Sequence, residues 1–157
     1  MTRYLLDTNQ ASKFMDGHPS MVHRMLQVGC ERVALPVIVC GELVFMSCHS
    51  QRVADNLAKA TELFDELQIV PVDLQIAHIF GELKHAIIER FGPRRPADRS
   101  RIKINSLGFH DNDLWIAATA IRHEFTIVTS DTDFLRIAEV RSFAIETWWS
   151  PGGSAEN

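Results

Sequence analysis

Short apolar runs alternate with longer segments of helical periodicity along most of the chain. The apolar runs predict buried strands at residues 3–7, 33–39, 69–72, 125–129 and 142–146. Apolar positions that recur with helical spacing predict helices at residues 9–15, 20–28, 40–50, 51–67, 74–91, 112–123 and 133–137. Strands that alternate with helices of this length predict an α/β fold, with a parallel sheet covered by helices on both faces.

The size of the chain predicts one compact domain. It has 157 residues, of which 46% are hydrophobic, and this is enough for a core that needs no disulfides or metals to hold it. We expect a single domain over residues 1–149 and a flexible tail over residues 150–157. No apolar stretch approaches the roughly 20 residues that a membrane-spanning helix needs, so no membrane contact is expected.

Cysteine usage bears on the compartment in which the protein works. Cys30, Cys40 and Cys48 lie among apolar residues, their number is odd, and no two are spaced as C-x-x-C. A disulfide framework and a zinc site are therefore both disfavoured. These features favour a reducing cytoplasm.

One segment, residues 90–103, differs in charge from the rest of the chain. It holds six basic residues against one acidic residue, so its net charge is +5, whereas the other residues sum to −9. Such a segment is either a solvated loop or a contact for phosphate groups or an acidic partner, and both interpretations stay open. If the segment binds RNA phosphates, the contacts are expected at Arg94, Arg95, Arg99 and Arg101.

Four acidic residues stand at or beside apolar segments that should be buried. Asp7 and Asp131 follow predicted strands, whereas Glu42 and Asp113 lie near the starts of predicted helices. Taken singly, each has an ordinary explanation, as a helix cap, a first-turn charge, a turn residue or an exposed helix position. An isolated charged carboxylate in apolar surroundings is nevertheless costly unless it is paired or bound to a metal.

Taken together, the positions of these four acids predict a shared site. In a parallel sheet the carboxyl ends of the strands meet at one edge, where ligands bind. Carboxylates that converge there repel each other, and a divalent cation such as Mg²⁺ or Mn²⁺, which prefers oxygen ligands, relieves the repulsion. We therefore expect a metal site suited to the hydrolysis of phosphodiester bonds, with no protein nucleophile.

The motifs that carry these acids resemble those of a known family. Four segments occur in the order found in PIN-domain nucleases, and most closely in VapC-type toxins of toxin–antitoxin pairs: "LLDTNQASKFM", "GELVF", "NDLWIAATAIRHEFTIVTSDTDFLRI" and "IETW". The resemblance covers nearly the whole chain. It implies a PIN-like fold and a Mg²⁺- or Mn²⁺-dependent endoribonuclease that cleaves structured RNA, such as tRNA or rRNA. It also implies inhibition by a small antitoxin and suggests a homodimer.

The same resemblance assigns roles to individual residues. The family's catalytic acids match Asp7, Glu42, Asp113 and Asp131, and the metal ligands among them are Asp7, Asp113 and Asp131. The polar residues that hold the carboxylates in line match Asn9 and Thr129. The segment over residues 90–107 is longer and more basic than in the shorter family members.

Two further acids lie close in sequence to this set. We rank Asp113 above Asp111 because Asp113 directly precedes the "LWIAATA" helix. We rank Asp131 above Asp133 because Asp133, followed by Phe134, is interpreted as the cap of the next helical turn.

Histidine and tryptophan side chains are interpreted as structural. Since His110 and His123 lie at opposite ends of one predicted helix, they are expected in exposed or capping roles rather than at a shared metal. Stacking on RNA bases is conceivable for three tryptophans, but packing in the core or at an interface is favoured for them: Trp115, Trp148 and Trp149.

Two other functions are weighed against the nuclease. A phosphatase of the haloacid dehalogenase type needs a second aspartate two residues after the first, and this chain has Asn9 there, whose amide cannot act as a general acid. A non-catalytic PIN-fold module that binds RNA or protein gains nothing from four carboxylates that repel phosphate. The nuclease is therefore favoured, and the non-catalytic module is kept as the alternative.

Overall fold

Five short strands form one sheet in which every neighbouring pair is parallel. The computed structural model describes residues 1–153. Within them the strands are β1 (Tyr4–Leu6), β2 (Val33–Pro36), β3 (Gln68–Val70), β4 (Thr126–Val128) and β5 (Ile145–Glu146). Their order across the sheet is β3-β2-β1-β4-β5. The three central strands β2, β1 and β4 are buried along their whole length, as expected for continuous apolar runs in a parallel sheet.

The helices form two packed groups. Within residues 1–153 the helices are α1 (Thr8–Met15), α2 (Pro19–Val28), α3 (Val37–Cys48), α4 (Val53–Glu66), α5 (Leu74–Phe91), α6 (Pro96–Arg99), α7 (Asp111–His123) and α8 (Asp133–Val140). Helices α1 to α4 pack together, and so do α5, α7 and α8. Because crossovers between parallel strands are right-handed, the connections from β1 to β3 and those back to β4 and β5 lie on opposite faces. The predicted fold, a parallel sheet covered on both faces, is confirmed.

The strand order places β1 at the point where the winding of the sheet reverses. At such a point the carboxyl ends of neighbouring strands open a crevice in which α/β proteins bind ligands. Leu6 of β1 pairs with Val128 of β4, and the Asp7 N–H donates to the Val128 carbonyl at 3.1 Å. The residues that follow the two strands, Asp7 and Thr129, therefore emerge side by side.

The boundary between β2 and α3 differs from the prediction. The strand predicted over residues 33–39 ends at Pro36, and α3 begins at Val37 rather than at residue 40. Pro36 has no N–H to donate to a neighbouring strand, so the ladder stops there, and the residues after it begin a helix. The β-branched Val37 and Val39 lie in the first turn of α3, where packing overrides their strand propensity. Glu42 consequently lies in the second turn.

The basic segment over residues 90–103 is partly helical rather than a plain loop. Pro96 is the first residue of α6, a position that proline favours. The Arg95 Nε donates to Asp98 Oδ2 at 2.7 Å across this turn. A 3₁₀ turn, Ile104–Leu107, follows and ends at Gly108, whose φ of +84° favours glycine.

The remaining expectations concern the cysteines, membrane-spanning helices and the C-terminal tail. All three cysteines are free thiols; Cys30 and Cys48 are exposed, and Cys40 is half-buried. Among residues 1–153, no helix has the length and apolar character needed to cross a membrane. Of the tail expected at residues 150–157, residues 154–157 lie outside the described part of the chain.

Candidate active site

Asp7 caps a helix and also lines the central crevice. Its Oδ1 accepts the Gln10 N–H at 2.8 Å, which caps the start of α1. Only 4% of the residue is exposed. Burial raises its pKa from 3.8 to about 6, against hydrogen bonds from the Thr129 side chain and the Gln10 backbone and with the help of the Asp131 charge. The capping role and the site role therefore belong to the same side chain.

Thr129 connects two of the acids. Its side chain is hydrogen-bonded to the Asp7 carboxylate, and its Oγ1 accepts the Asp131 N–H at 2.9 Å. Its own carbonyl accepts the Thr147 hydroxyl at 2.6 Å, which anchors it to the segment after β5. Thr129 is buried, so it fixes the ends of β1 and β4 relative to each other.

Asp113 lies in the first turn of α7 and faces the other acids. Burial raises its pKa from 3.8 to about 7, and the negative charge of Asp131 is the next largest cause. The nearby His110 acts in the opposite direction, whereas the charges of Glu42 and Asp133 raise the pKa further. The negative charges of three other acids, Asp131, Glu42 and Asp133, therefore all act on Asp113.

Glu42 is held by two donors that the sequence did not identify. The Thr8 hydroxyl donates to Glu42 Oε2, and the Asn112 side-chain amide donates to Oε1 at 2.7 Å. Thr8 lies in α1 and Asn112 in α7, so the carboxylate of α3 is fixed by two other helices. The only sequence signal was adjacency, since Thr8 follows Asp7 and Asn112 precedes Asp113.

The four predicted acids meet in one cavity of about 330 Å³ at the carboxyl edge of the sheet. Its lining consists of Asp7, Thr8, Asn9, Glu42, His110, Asn112, Asp113 and Asp131. Asn9 is exposed at this cavity, and its backbone N–H is hydrogen-bonded to the Asp7 carboxylate. The cavity brings together every acid ranked first from the sequence, and both of the polar residues expected to support them contact Asp7.

The two acids ranked second from the sequence, Asp111 and Asp133, differ in where their carboxylates lie. Asp111 pairs with Lys84, Nζ to Oδ1 at 2.8 Å, and does not line the cavity. The expectation that Asp133 caps α8 is wrong, because Thr132 occupies the cap position. The Asp133 N–H donates to Asp131 Oδ1 at 2.9 Å. The Asp133 carboxylate instead joins the acid group.

The donor set fits a hard divalent cation. Carboxylate oxygens of Asp113, Asp131 and Asp133 all lie within 4.8 Å of one another. The charge of Asp131 also acts on Asp7 and raises the pKa of that carboxyl. Oxygen ligands of this kind suit Mg²⁺ or Mn²⁺, and the positive charge of a bound cation would offset both the burial and the repulsion that raise the two pKa values.

The four arginines predicted to contact RNA divide into two pairs. Arg95 is paired with Asp98. Arg99 donates to the carbonyls of Pro93 and Arg94 and lies 3.2 Å from Glu89 Oε1. The side chains of Arg94 and Arg101 form no hydrogen bond or ion pair with any described residue, and both residues are exposed.

Aromatic side chains near the sheet edge are used for packing. Trp115 stacks on Phe80 with ring centres 3.8 Å apart. Trp148 is buried against Tyr4, and the Trp149 backbone makes both hydrogen bonds of the Gln10 side chain. His110 is exposed at the cap position of α7 without a side-chain capping bond.

Comparison with known proteins identifies the family. The chain is 26% identical over 148 residues to ribonuclease VapC2 of Rickettsia felis, covering 92% of this chain and 97% of that protein. It also resembles the structure of VapBC2 from Rickettsia felis bound to a promoter DNA fragment, with a TM-score of 0.73, 24% identity and coverage of 94% and 99%.

A toxin–antitoxin complex from Klebsiella pneumoniae has a similar fold, with a TM-score of 0.65, 15% identity and coverage of 94% and 99%. The family model described as the PIN domain matches residues 4–140, a span that holds all of the cavity's acids. The chain therefore belongs to the PIN-domain family.

Proposed function

We propose that the protein is a metal-dependent endoribonuclease, a VapC-like toxin that hydrolyses RNA phosphodiester bonds and is neutralised by a cognate antitoxin. The observation that carries the proposal is the convergence of Asp7, Glu42, Asp113 and Asp131 in one cavity. The relative named as a ribonuclease supports RNA as the substrate. We expect structured RNA, such as tRNA or rRNA, and action in the cytoplasm.

Mg²⁺ or Mn²⁺ would be held by Asp7, Asp113 and Asp131, with Asp133 close enough to take part. When bound, such a cation lowers the pKa of water and stabilises negative charge on a phosphate. Because the pKa values of Asp7 and Asp113 are raised to about 6 and about 7, the two side chains would give up protons on becoming ligands at about pH 6. Thr129, bonded to both sides of this set, keeps the carboxylates in line.

Glu42 has a different role from the other three acids. Its two oxygens are fixed by Thr8 and Asn112, so the carboxylate has a set orientation at the wall of the cavity. In that position it orients a water molecule for attack on the phosphate and accepts its proton. Asn9, at the exposed rim, supports Asp7 through its backbone and offers its amide to the substrate.

RNA phosphates beyond the cavity are contacted by the basic segment. Arg94 and Arg101 are the side chains there that are free to bind, whereas Arg95 and Arg99 stabilise the segment itself. Phosphate contacts of this kind position the substrate without taking part in hydrolysis.

The proposed antitoxin inhibits by charge complementarity. We expect it to insert a basic side chain, an arginine, into the acid cavity, where it occupies the place of the cation. The similar fold of the Klebsiella pneumoniae toxin–antitoxin complex supports a partner of this class.

A second copy of the chain is proposed to pack on α3. Helix α2 buries its apolar residues Met21 and Met25 inside the monomer. By contrast, α3 exposes three consecutive apolar residues, Val44, Phe45 and Met46. Phe45→Ser should therefore shift the protein from dimer to monomer in light scattering, whereas Leu26→Ser, at an isolated exposed position on α2, should not. Equal masses for both variants would contradict this interface.

The test of the nuclease is a matched pair of substitutions in one helical turn. Asp113→Asn should abolish Mn²⁺-dependent cleavage of structured RNA, whereas Asp111→Asn, which removes only the pair with Lys84, should retain it. Addition of a chelator should stop RNA cleavage by the parent protein. If the parent binds RNA but does not cleave it with either Mg²⁺ or Mn²⁺, the alternative of a non-catalytic PIN-fold module is correct.

A further inference from the structure

Arg136, on α8, makes three kinds of contact beside the acid cavity. Its Nη2 donates to the Leu107 carbonyl at 3.1 Å, and its Nη1 lies 3.6 Å from Asp133 Oδ1. Its guanidinium carbon lies 4.1 Å from the centre of the Phe109 ring and 5.0 Å from that of Phe91. Phe109 is fully buried, so this stack is anchored in the core.

These contacts join the two segments that carry the acid group. Leu107 and Phe109 lie in the connection that runs directly into α7, whose first turn carries Asp113. Asp133 is the first residue of α8 and is bonded through its N–H to Asp131. Because Arg136 contacts both segments, it ties the start of α7 to the start of α8.

The backbone at Gly108 is shaped to accept this arginine. Gly108 has a φ of +84°, and a Cβ built there would lie 3.3 Å from Arg136 Nη1. The guanidinium therefore packs closely against the connection as well as bonding to it. A planar fork that donates in two directions while stacking on an aromatic ring is specific to arginine, and lysine offers only a flexible point charge.

We propose that Arg136 is a positioning residue, which sets the distance between Asp113 and the pair formed by Asp131 and Asp133. The inference rests on the proposed function, in that these acids are taken to bind Mg²⁺ or Mn²⁺. Arg136 itself does not contact the substrate or the cation. It acts through the placement of the two segments that carry the ligands.

The sign of the effect on metal binding separates positioning from a simple charge effect. Arg136 carries a positive charge beside an acidic group, so by Coulomb's law alone its removal should strengthen cation binding. If it acts by positioning, its removal should weaken binding, since loss of supporting contacts typically costs about 10–100-fold in metal affinity. A purely electrostatic role and a positioning role therefore predict opposite results.

The experiment compares Mn²⁺ affinity, by titration calorimetry, in the parent protein and in three variants: Arg136→Met, Arg136→Lys and Arg90→Met. Arg90 is a matched control because it also pairs with α8, donating to Glu139 at 2.9 Å and 3.1 Å, and also lies over the Phe91 ring at 5.6 Å. We expect about 10-fold weaker binding in both Arg136 variants and parental affinity in Arg90→Met.

Each outcome decides between the alternatives. Unchanged or tighter Mn²⁺ binding by a folded Arg136→Met variant would overturn the inference, as would an equal loss in Arg90→Met. If thermal unfolding shows that Arg136→Met is not folded, Arg136→Lys decides, because it keeps the charge and loses only the forked geometry. A parent protein that binds no Mn²⁺ would overturn the proposed function and this role with it, so the parent titration distinguishes the two failures.

Discussion

The carboxyl edge of the sheet carries two acidic regions with opposite electrostatics. At the end of β5, Glu146 Oε2 accepts the Trp148 Nε1–H at 2.9 Å and an Arg24 N–H at 3.1 Å. Burial acts to raise its pKa, but the hydrogen bonds from Trp148 and Arg24, the Arg24 charge and Tyr4 together lower it. This acid is more stable charged, and it fastens the segment after β5 to β1 and α2.

The cavity at the ends of β1 and β4 is the reverse case. Burial raises the pKa of Asp7 to about 6 and that of Asp113 to about 7, and the neighbouring charges that act on them are mostly negative. No lysine or arginine lines this cavity within the described part of the chain. An acid surrounded by donors becomes a structural anchor, whereas acids gathered without cations become a site for one.

The largest expected effect comes from breaking the cavity at Asp7. Asp7→Asn should lower the rate of Mn²⁺-dependent RNA cleavage by at least about 100-fold, because metal stabilisation of the reacting groups contributes several kcal/mol. Asparagine caps helices as well as aspartate does, so α1 should persist. The circular dichroism spectrum should match the parent's. Full activity in this variant would contradict the assignment of Asp7 to the active site.

The same substitution should stabilise the metal-free protein. A pKa raised by about two units in the folded state costs about 3 kcal/mol once the carboxyl is charged, and Asn removes that cost. Chemical denaturation of Asp7→Asn and the parent at about pH 8 measures the gain. A variant less stable than the parent at that pH would contradict the raised pKa of Asp7.

The two regions should give opposite dependences of stability on pH. The folded pKa values of Asp7 and Asp113 lie above the unfolded value of 3.8, so their contribution to metal-free stability falls as pH rises from about 4 to about 7. The folded pKa of Glu146 lies below the unfolded value of 4.5. The contribution of Glu146 to stability is therefore present above pH 4.5 and is lost as the pH falls through the folded pKa. Denaturation of Asp113→Asn between about pH 4 and about pH 7 should show the first dependence reduced. Denaturation of Glu146→Gln below about pH 4.5 should show the second dependence reduced. If the two variants gave the same dependence of stability on pH, the proposed difference between the two regions would be contradicted.

Glu146→Gln should affect stability without affecting chemistry. Glutamine keeps an acceptor for Trp148 but loses the charge that pairs with Arg24, and because the pair is partly exposed the loss should be small. Mn²⁺ affinity and the rate at saturating RNA should stay at parental values. A fall in the saturated rate would mean that the anchor and the cavity are coupled.

The smallest effect concerns the basic segment. Replacing Arg94 and Arg101 by glutamine should flatten the plot of log affinity for RNA against log salt by about 0.7–0.9 per lost phosphate contact. Arg95→Gln, which breaks the pair with Asp98, should leave the slope unchanged. The saturated rate should be unaffected in both variants. If the Arg94 and Arg101 variant keeps the parental slope, the segment is plain surface or an antitoxin contact, and a pull-down with the antitoxin would choose between them.

The sequence predicted the sheet and three of the cavity's acids for one reason. Asp7 and Asp131 follow β1 and β4, and Asp113 lies in the first turn of α7, so the rule that parallel strands share a carboxyl edge brings them together. Glu42 was expected there too, although the boundary of its helix was wrong. A shift in where α3 begins changes the turn on which Glu42 lies but leaves α3 beside the same edge.

The supporting contacts were not predictable from local pattern. The donors to Glu42 come from α1 and α7, and Arg136 reaches a carbonyl 29 residues earlier in the chain. Such pairs depend on how helices distant in sequence pack. For the same reason the sequence did not separate Arg94 from Arg95 or bring Asp133 into the acid group. Charge and spacing identify which residues are unusual, and packing decides their partners.

The central claim is that the acid cavity holds protons that a divalent cation displaces. Calorimetric titration of Mn²⁺ at about pH 6, in buffers of different ionisation enthalpy, counts the protons released on binding. We predict measurable proton release by the parent protein, a smaller release by Asp113→Asn, an unchanged release by Glu146→Gln, and tighter parental binding at about pH 8 than at about pH 5. Binding without proton release and with equal affinity at both pH values would contradict the account.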